Sequence, residues 1–231
     1  MLKIEEIGYN PTITIFPNLK NPNNGESVAL LEALNRIKNG NSKSLVNHIR
    51  DGNPEEKLML PCICFSGEFT NRNAKGLINH SGLMVLDFDK MKPNEIAISN
   101  LTLQQNKHIV STFISPSGNG IKAIVRVPNT LDANTHPKYY KSFVDEFKYS
   151  NIDSSGSDIA RICFESFDKD VYINSEAEVY KASVNLKKET FIQPEVIVPA
   201  DQETIIEGVL NFKFNTSFIE GQRNEHVLAV A

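Results

Sequence analysis

Closely spaced acids are the first sign of chemistry in this chain. Gly82-Leu83-Met84-Val85-Leu86-Asp87-Phe88-Asp89 is an apolar run that ends in two carboxylates one residue apart. Consecutive apolar residues read as a strand buried on both faces, and side chains alternate along a strand, so Asp87 and Asp89 fall on the same side. Two such carboxylates repel each other unless a cation lies between them, and oxygen ligands suit a hard divalent metal. The alternative is that Asp89 caps the succeeding segment and Asp87 pairs with a basic neighbour.

More charged groups lie at a distance along the chain. In residues 121–127, Ile121, Ala123, Val125 and Val127 share one face, while Lys122, Ile124 and Arg126 share the other, so Lys122 and Arg126 are presented together as candidate phosphate-binding cations. The turn before them, Ser115-Pro116-Ser117-Gly118-Asn119-Gly120, can offer backbone N–H donors to phosphate oxygens. Further on, Asn151-Ile152-Asp153-Ser154-Ser155-Gly156-Ser157 leads into Asp158-Ile159-Ala160-Arg161-Ile162. Three acids plus a cationic strand face are what metal-assisted phosphoryl transfer requires: carboxylates for Mg²⁺ or Mn²⁺, basic groups for the phosphates.

The elements that must position these groups can be read from periodicity. Residues 12–16 alternate and predict an edge strand before Pro17. Ser27 stands where an N-cap belongs, and Leu30, Leu31, Leu34 and Ile37 keep helical spacing until Asn39-Gly40. A second helix spans 43–50, with Leu45, Val46 and Ile49 as its apolar face. Residues 60–65 predict a strand that Pro61 confines to an edge or to a first position, and 66–81, with Arg72, Lys75 and His80, read as a polar loop into the central strand 82–89. Pro93 starts a helix expected to turn Ile96, Ala97 and Leu101 inward. Residues 108–114 and 121–127 form an antiparallel hairpin around the Ser/Gly turn. The helix after Thr135-His136-Pro137 aligns Tyr140, Phe143, Val144 and Phe147 as a core stripe, and strands are expected at 158–164 and 170–174.

The composition belongs to an ordinary globular protein: 231 residues, 40% hydrophobic and 23% charged. Lys+Arg 24 against Asp+Glu 28 gives a net charge of -4, without the global basic signature of a nucleic-acid binder, although a local basic face can work on an acidic protein. Cys62, Cys64 and Cys163 are too few for a disulfide framework or a four-ligand zinc site and read as core residues in a reducing compartment. The first residues lack the pattern of a signal peptide, and no apolar segment is long enough to span a membrane, so a cytoplasmic location is expected.

The combination of motifs resembles the archaeo-eukaryotic primase superfamily, the primase-polymerases, and more closely its virulence-protein E amino-terminal branch from bacterial mobile elements. The resemblance rests on Leu83 to Asp89, on Ser115-Pro116-Ser117-Gly118-Asn119-Gly120-Ile121-Lys122, and on Ile152-Asp153 continuing to Asp158-Ile159-Ala160-Arg161-Ile162. The weaker stretch from Leu60 to Gly67 also matches, so that residues 50–181 are covered. It implies an α+β fold, a two-part domain with a mostly antiparallel or mixed sheet flanked by helices and an RRM-like catalytic half. The domain divides into an amino-terminal part at 1–81 and a catalytic part at 82–181; residues 182–203, with Lys187-Lys188, Pro194 and Pro199 and no helical periodicity, read as a linker or surface arm, and 204–231 as the start of a truncated helical module. Asp87 and Asp89 would ligate Mg²⁺ or Mn²⁺, with Asp153 as third carboxylate and Asp158 as its rival. Ser115, Ser117, Gly118 and Lys122 would contact nucleotide phosphates, and Arg161 would steady the third-motif loop or the triphosphate. The implied partners are a nucleic-acid template, nucleoside triphosphates and a following helicase-type module, to which Gly221-Gln222-Arg223-Asn224 is similar. One departure stands out: where the superfamily usually carries histidine on the strand after the turn, this chain carries Lys122.

Two other Asp-x-Asp families fit less well. Phosphatases of the haloacid dehalogenase type continue with Gly/Thr or Thr, where this chain has Lys90-Met91-Lys92, and sugar-nucleotide transferases lack the Ser/Gly turn with a third acid motif. The competing class is a non-catalytic module that keeps the primase fold and binds nucleic acid or nucleotide.

Overall fold

Apolar residues at period two and period 3.6 build two four-stranded antiparallel sheets, a small two-stranded one and four α-helices in a computed structural model that describes residues 8–182. The architecture is mixed α+β, with antiparallel sheets flanked by helices. The linker and helical module expected from 182 onward lie outside the described residues, apart from Ala182 itself.

The first sheet has the order β2-β1-β3-β9, formed by β1 (Thr12–Phe16), β2 (Glu26–Ala29), β3 (Cys62–Cys64) and β9 (Cys163–Phe164). Its helices are α1 (Leu30–Asn39), closed by Gly40 in the left-handed region at φ 82°, and α2 (Lys43–Arg50). The second sheet has the order β10-β7-β8-β6, from β6 (Leu83–Phe88), β7 (Ile109–Ile114), β8 (Ile121–Arg126) and β10 (Tyr172–Ile173). With α3 (Pro93–Gln104) and α4 (His136–Phe147) it follows the chain order β-α-β-β-α-β. One face of this sheet buries Met84, Leu86, Ile121, Ala123 and Val125 against Leu103 of α3 and Tyr140 and Phe143 of α4. The other face packs Leu83, Phe113 and Ile124 against Ile13, Ile63, Leu34 and Ile37 of the first sheet and α1. Both faces of β6 are therefore covered, as its unbroken apolar run requires.

Several expectations are corrected. Ser27 is not an N-cap: it lies within β2 opposite Thr14, and its hydroxyl donates to Glu68 Oε1 at 2.9 Å. The first turn of α1 is capped from the preceding segment, with Leu31 N–H donating to Asn10 Oδ1 (2.8 Å) and Leu30 N–H to the Pro11 carbonyl (2.9 Å). β1 is an interior strand, and so is β3, because Pro61 stands just outside it. The expected loop 66–81 contains a small hairpin, β4 (Gly67–Phe69) and β5 (Leu77–His80). On α3, Leu103 is buried and Ile96 half-buried, whereas Ala97 and Leu101 face solvent, since α3 touches the sheet chiefly through its last turn. Between 158 and 164 only Cys163–Phe164 is strand. Finally, β6 is an edge strand rather than the centre of its sheet.

Candidate functional site

The edge position of β6 explains how the distant acid arrives. Antiparallel pairing with β8 sets Asp87 directly opposite Lys122. The free edge of β6 is covered by the loop after α4: Phe88 bridges to Ile152, Asp153 N–H donates to the Asp87 carbonyl (2.8 Å), and Asp89 N–H donates to the Asn151 carbonyl (3.3 Å). Asn151 makes the required bend with a positive φ of 63°. The Tyr140 hydroxyl of α4 donates to the Asp153 carbonyl at 2.5 Å and pins the same loop to the core. Burial raises the Tyr140 phenol well above its ordinary range, so it stays a donor.

Four charged side chains from three segments meet here. Lys122 Nζ pairs with Asp87 Oδ1, and the two side chains are 6% and 14% exposed. Arg161 Nη2 lies 2.7 Å from Asp153 Oδ2 and 3.6 Å from Asp87 Oδ2, tying the two carboxylates together. Asp153 Oδ1 accepts from the Ser155 N–H (2.9 Å) and hydroxyl (2.6 Å). These Ser155 bonds, with help from Arg161, hold the Asp153 carboxyl below the usual carboxylate range. Asp89 stands just beyond β6, where a Cβ added to Gly120 would lie 3.3 Å from its Oδ1 and 3.2 Å from Ser115 Oγ. That Cβ would also be driven into the Phe88 carbonyl oxygen, so only glycine lets the turn close on the end of β6.

The turn is internally bonded. Ser115 N–H donates to the Gly120 carbonyl (2.9 Å), Gly118 N–H to the Ser115 carbonyl (3.0 Å), and Ser117 Oγ lies 3.1 Å from Ser115 Oγ and 2.6 Å from Asn119 Oδ1. Gly118 takes φ 77°, a left-handed conformation that favours glycine.

The structure thus brings together Asp87, Lys122, Arg161 and Asp153, and sets Asp89 beside Ser115 at the turn that carries Ser117 and Gly118. It does not bring Asp158 to them: that carboxylate accepts the Ala160 N–H at 2.9 Å and closes its own turn. Arg126 is also elsewhere, a correction to its pairing with Lys122. Its Nη1 donates to the Ala177 carbonyl at 2.7 Å, and its guanidinium sits 4.1 Å from the centroid of the Tyr9 ring. Sequence reasoning missed Arg50 of α2, which hydrogen-bonds the carbonyls of Ser115 and Pro116 (3.2 Å each), and Tyr140 as the anchor of the Asp153 loop. The Tyr140 ring is in the core as its helical spacing implies, but nothing in the local sequence marks its hydroxyl, or the Arg50 guanidinium, as the partner of a distant loop.

Among the described residues, no group of three or more His, Cys, Asp or Glu side chains is gathered as a ready metal site. The donors nevertheless suit a hard cation in kind. Asp87 Oδ1 is buried without a hydrogen-bond partner of regular geometry, its charge met by the Lys122 ion pair, and Asp89 projects from the same end of the strand. The three cysteines are buried core groups, with the Cys64 and Cys163 thiols pushed up to about 12 by burial.

Two solved structures are similar to this chain at low identity. The AEP domain of the primase-polymerase of cyanophage S-2L aligns over 75% of this chain and 84% of its own at 8% identity, with a TM-score of 0.40. The catalytic domain of primase RepB', solved in complex with initiator DNA, aligns over 76% of this chain and 82% of its own at 13% identity, with a TM-score of 0.36. No curated protein matches. The model of the BT4734-like, N-terminal domain family matches residues 55–173, just over half of the chain, and the chain belongs to that family. No helix among the described residues is long and apolar enough to cross a membrane.

Proposed function

We propose that this chain carries a metal-dependent nucleotidyltransferase domain of the primase-polymerase type, which works on a nucleic-acid template with nucleoside triphosphates in a replication protein. Its motif set resembles that of the virulence-protein E branch of mobile elements, and the same reading makes a helicase-type module its partner beyond 204. One observation carries it: Asp87, Lys122, Arg161 and Asp153, from segments far apart in sequence, converge at the end of β6 beside a glycine-dependent turn. Such a mixture of acids and bases suits a polyanionic substrate. Asp87, Asp89 and Asp153 would hold Mg²⁺ or Mn²⁺, which would supply positive charge to a triphosphate substrate. Lys122 and Arg161 would neutralise the remaining phosphate charge, Arg161 through a planar fork and Lys122 as a point charge. Ser115 and Ser117 would supply hydroxyl donors and orient the phosphates at the turn, while Ser155 and Tyr140 keep Asp153 in place.

A second reading is favoured by the buried Lys122–Asp87 pair, because an ammonium already compensates the carboxylate that a metal would need. In that case the domain binds nucleic acid or nucleotide without turnover. The deciding measurement is primer extension and primer synthesis with purified protein, dNTPs or NTPs and Mn²⁺ or Mg²⁺. Extension by the wild type and its loss in folded Asp89→Ala supports catalysis. No product under any of these conditions, with nucleic-acid binding intact, overturns it in favour of the binding module.

A further inference from the structure

We propose that Arg50, at the end of α2 and outside the segment matched by the family model, is a positioning residue that aims the 115–120 turn at its phosphate ligand; this rests on the proposed reading of that turn. Its guanidinium makes three hydrogen bonds, all to carbonyl oxygens. Nε donates to Pro116 O (3.2 Å), and Nη2 to Ser115 O (3.2 Å) and Phe167 O (3.0 Å). The Arg50 side chain also runs beneath Gly118, whose added Cβ would meet Nε at 3.5 Å and Cδ and Cγ at 3.6 Å.

In a trans peptide the carbonyl and the following N–H point in opposite directions, and no described peptide bond is cis. Fixing the Pro116 carbonyl toward α2 therefore turns the Ser117 N–H to the opposite side. A turn that offers N–H groups to an anion must have its carbonyls held away from that anion, and Arg50 holds those of Ser115 and Pro116. The guanidinium is the side chain suited to this, since its planar fork reaches several acceptors at once.

The anchorage continues through the segment that contains Phe167. Asp168 Oδ2 accepts the Ile114 N–H (2.8 Å), and the Ser166 hydroxyl donates to the Ile114 carbonyl (2.6 Å), so the residue entering the turn is gripped on both its backbone groups. Lys43 lies 5.1 Å from the centroid of the Phe167 ring. Segment 166–168 and α2 thus clamp the turn from one side, with Arg50 joining both to it.

The test compares wild type with Arg50→Gln and Arg50→Lys, all shown folded by circular dichroism, using two independent readouts. Hydrogen exchange of the 115–120 amides is expected to accelerate about tenfold in Arg50→Gln, with α2 and β8 unchanged, and to be partly restored in Arg50→Lys, which can still donate to one carbonyl. Calorimetric affinity for dATP with Mg²⁺ is expected to fall about three- to tenfold in Arg50→Gln, and in any active preparation KM for the nucleotide rises more than kcat falls. Unchanged exchange in the turn, or acceleration spread evenly over the domain, overturns the proposal. If wild type binds no dATP, the proposed function of the turn fails, and the exchange pattern alone still decides whether Arg50 positions it.

Discussion

At the residue scale the site turns on one buried ion pair. Removing one partner of such a pair strands the other charge in a poorly solvated place, which costs ~3–5 kcal/mol. Asp87→Asn is therefore expected to lower the urea-unfolding free energy by about that amount, while Asp89→Asn, which has no ion pair among the described residues, changes it by about 0.5 kcal/mol or less. Equal losses in the two variants would show that Lys122 does not depend on Asp87. The same pair predicts the response to metal. In Lys122→Gln the competing ammonium is gone, so Mn²⁺ should raise the thermal midpoint of the variant more than that of wild type, by an amount that follows the logarithm of its gain in affinity. A smaller shift in the variant would mean that Lys122 helps the cation to bind rather than displacing it. The pairing of Asp87 with a basic neighbour was open in the sequence, because period-two alternation fixes which face a residue takes. It does not fix position along the strand. Arg126 shares the face of Lys122 but stands four residues away, about 13 Å along a strand, and its partners Tyr9 and Ala177 come from remote segments with no local signal.

At the scale of elements, the turn and the strand it abuts stand or fall together. Gly120→Ala would force a methyl group into the Phe88 carbonyl, a backbone atom within the β6–β8 pairing that cannot swing aside. It should destabilise by ~2 kcal/mol or more, whereas Gly118→Ala, which meets only the Arg50 side chain and a left-handed φ, should cost ~1 kcal/mol in the same denaturation experiment. A reversed order would place the constraint at the tip of the turn rather than at its base. A second element contact is sensitive to acid. His80 Nε2 and His136 Nδ1 are 2.9 Å apart, both rings buried between β5 and α4, and Gly82 N–H donates to His80 Nδ1. Burial lowers His80 to about 4 and His136 to about 3 from the ordinary value of 6.5. Below pH 6.5 the unfolded chain takes up protons that the folded one refuses, so stability is full above that pH and is lost as pH falls toward 4. Unfolding free energies measured at about pH 7, 5.5 and 4.5 should decline by a few kcal/mol in wild type and less steeply in His136→Phe. The helices and the β7–β8 hairpin that frame these contacts were legible because their patterns are local. The edge position of β6 and the hairpin within 66–81 were not, since strand order is set by which segments pair, and pairing is not written in any one of them.

At the scale of the whole described domain, the amino-terminal helical layer is tied to the site by a second buried charge. Glu165 follows β9 and is fully buried; Arg36 of α1 reaches it with Nε at 2.6 Å and Nη2 at 3.4 Å, and the Ser42 hydroxyl between α1 and α2 donates to it as well. Glu165 N–H in turn donates to the Pro61 carbonyl at 2.8 Å beside β3. The segment so held continues into Ser166 and Asp168, which grip Ile114 at the entrance of the turn, and is preceded by Arg161, which joins Asp153 to Asp87. A single stretch, 161–168, therefore connects both halves of the candidate site, and α1 fixes it from outside. Arg36→Met would leave the Glu165 carboxylate buried with only the Ser42 hydroxyl and should cost ~3–5 kcal/mol. Arg36→Met combined with Glu165→Leu, which removes both charges, should recover most of that loss. If α1 acts on the site through this stretch, the single variant should also speed hydrogen exchange at Ile114 and Arg161 relative to α4, and the double variant should restore it. Exchange that rises equally in α4 would reduce the Arg36–Glu165 pair to a contribution to global stability.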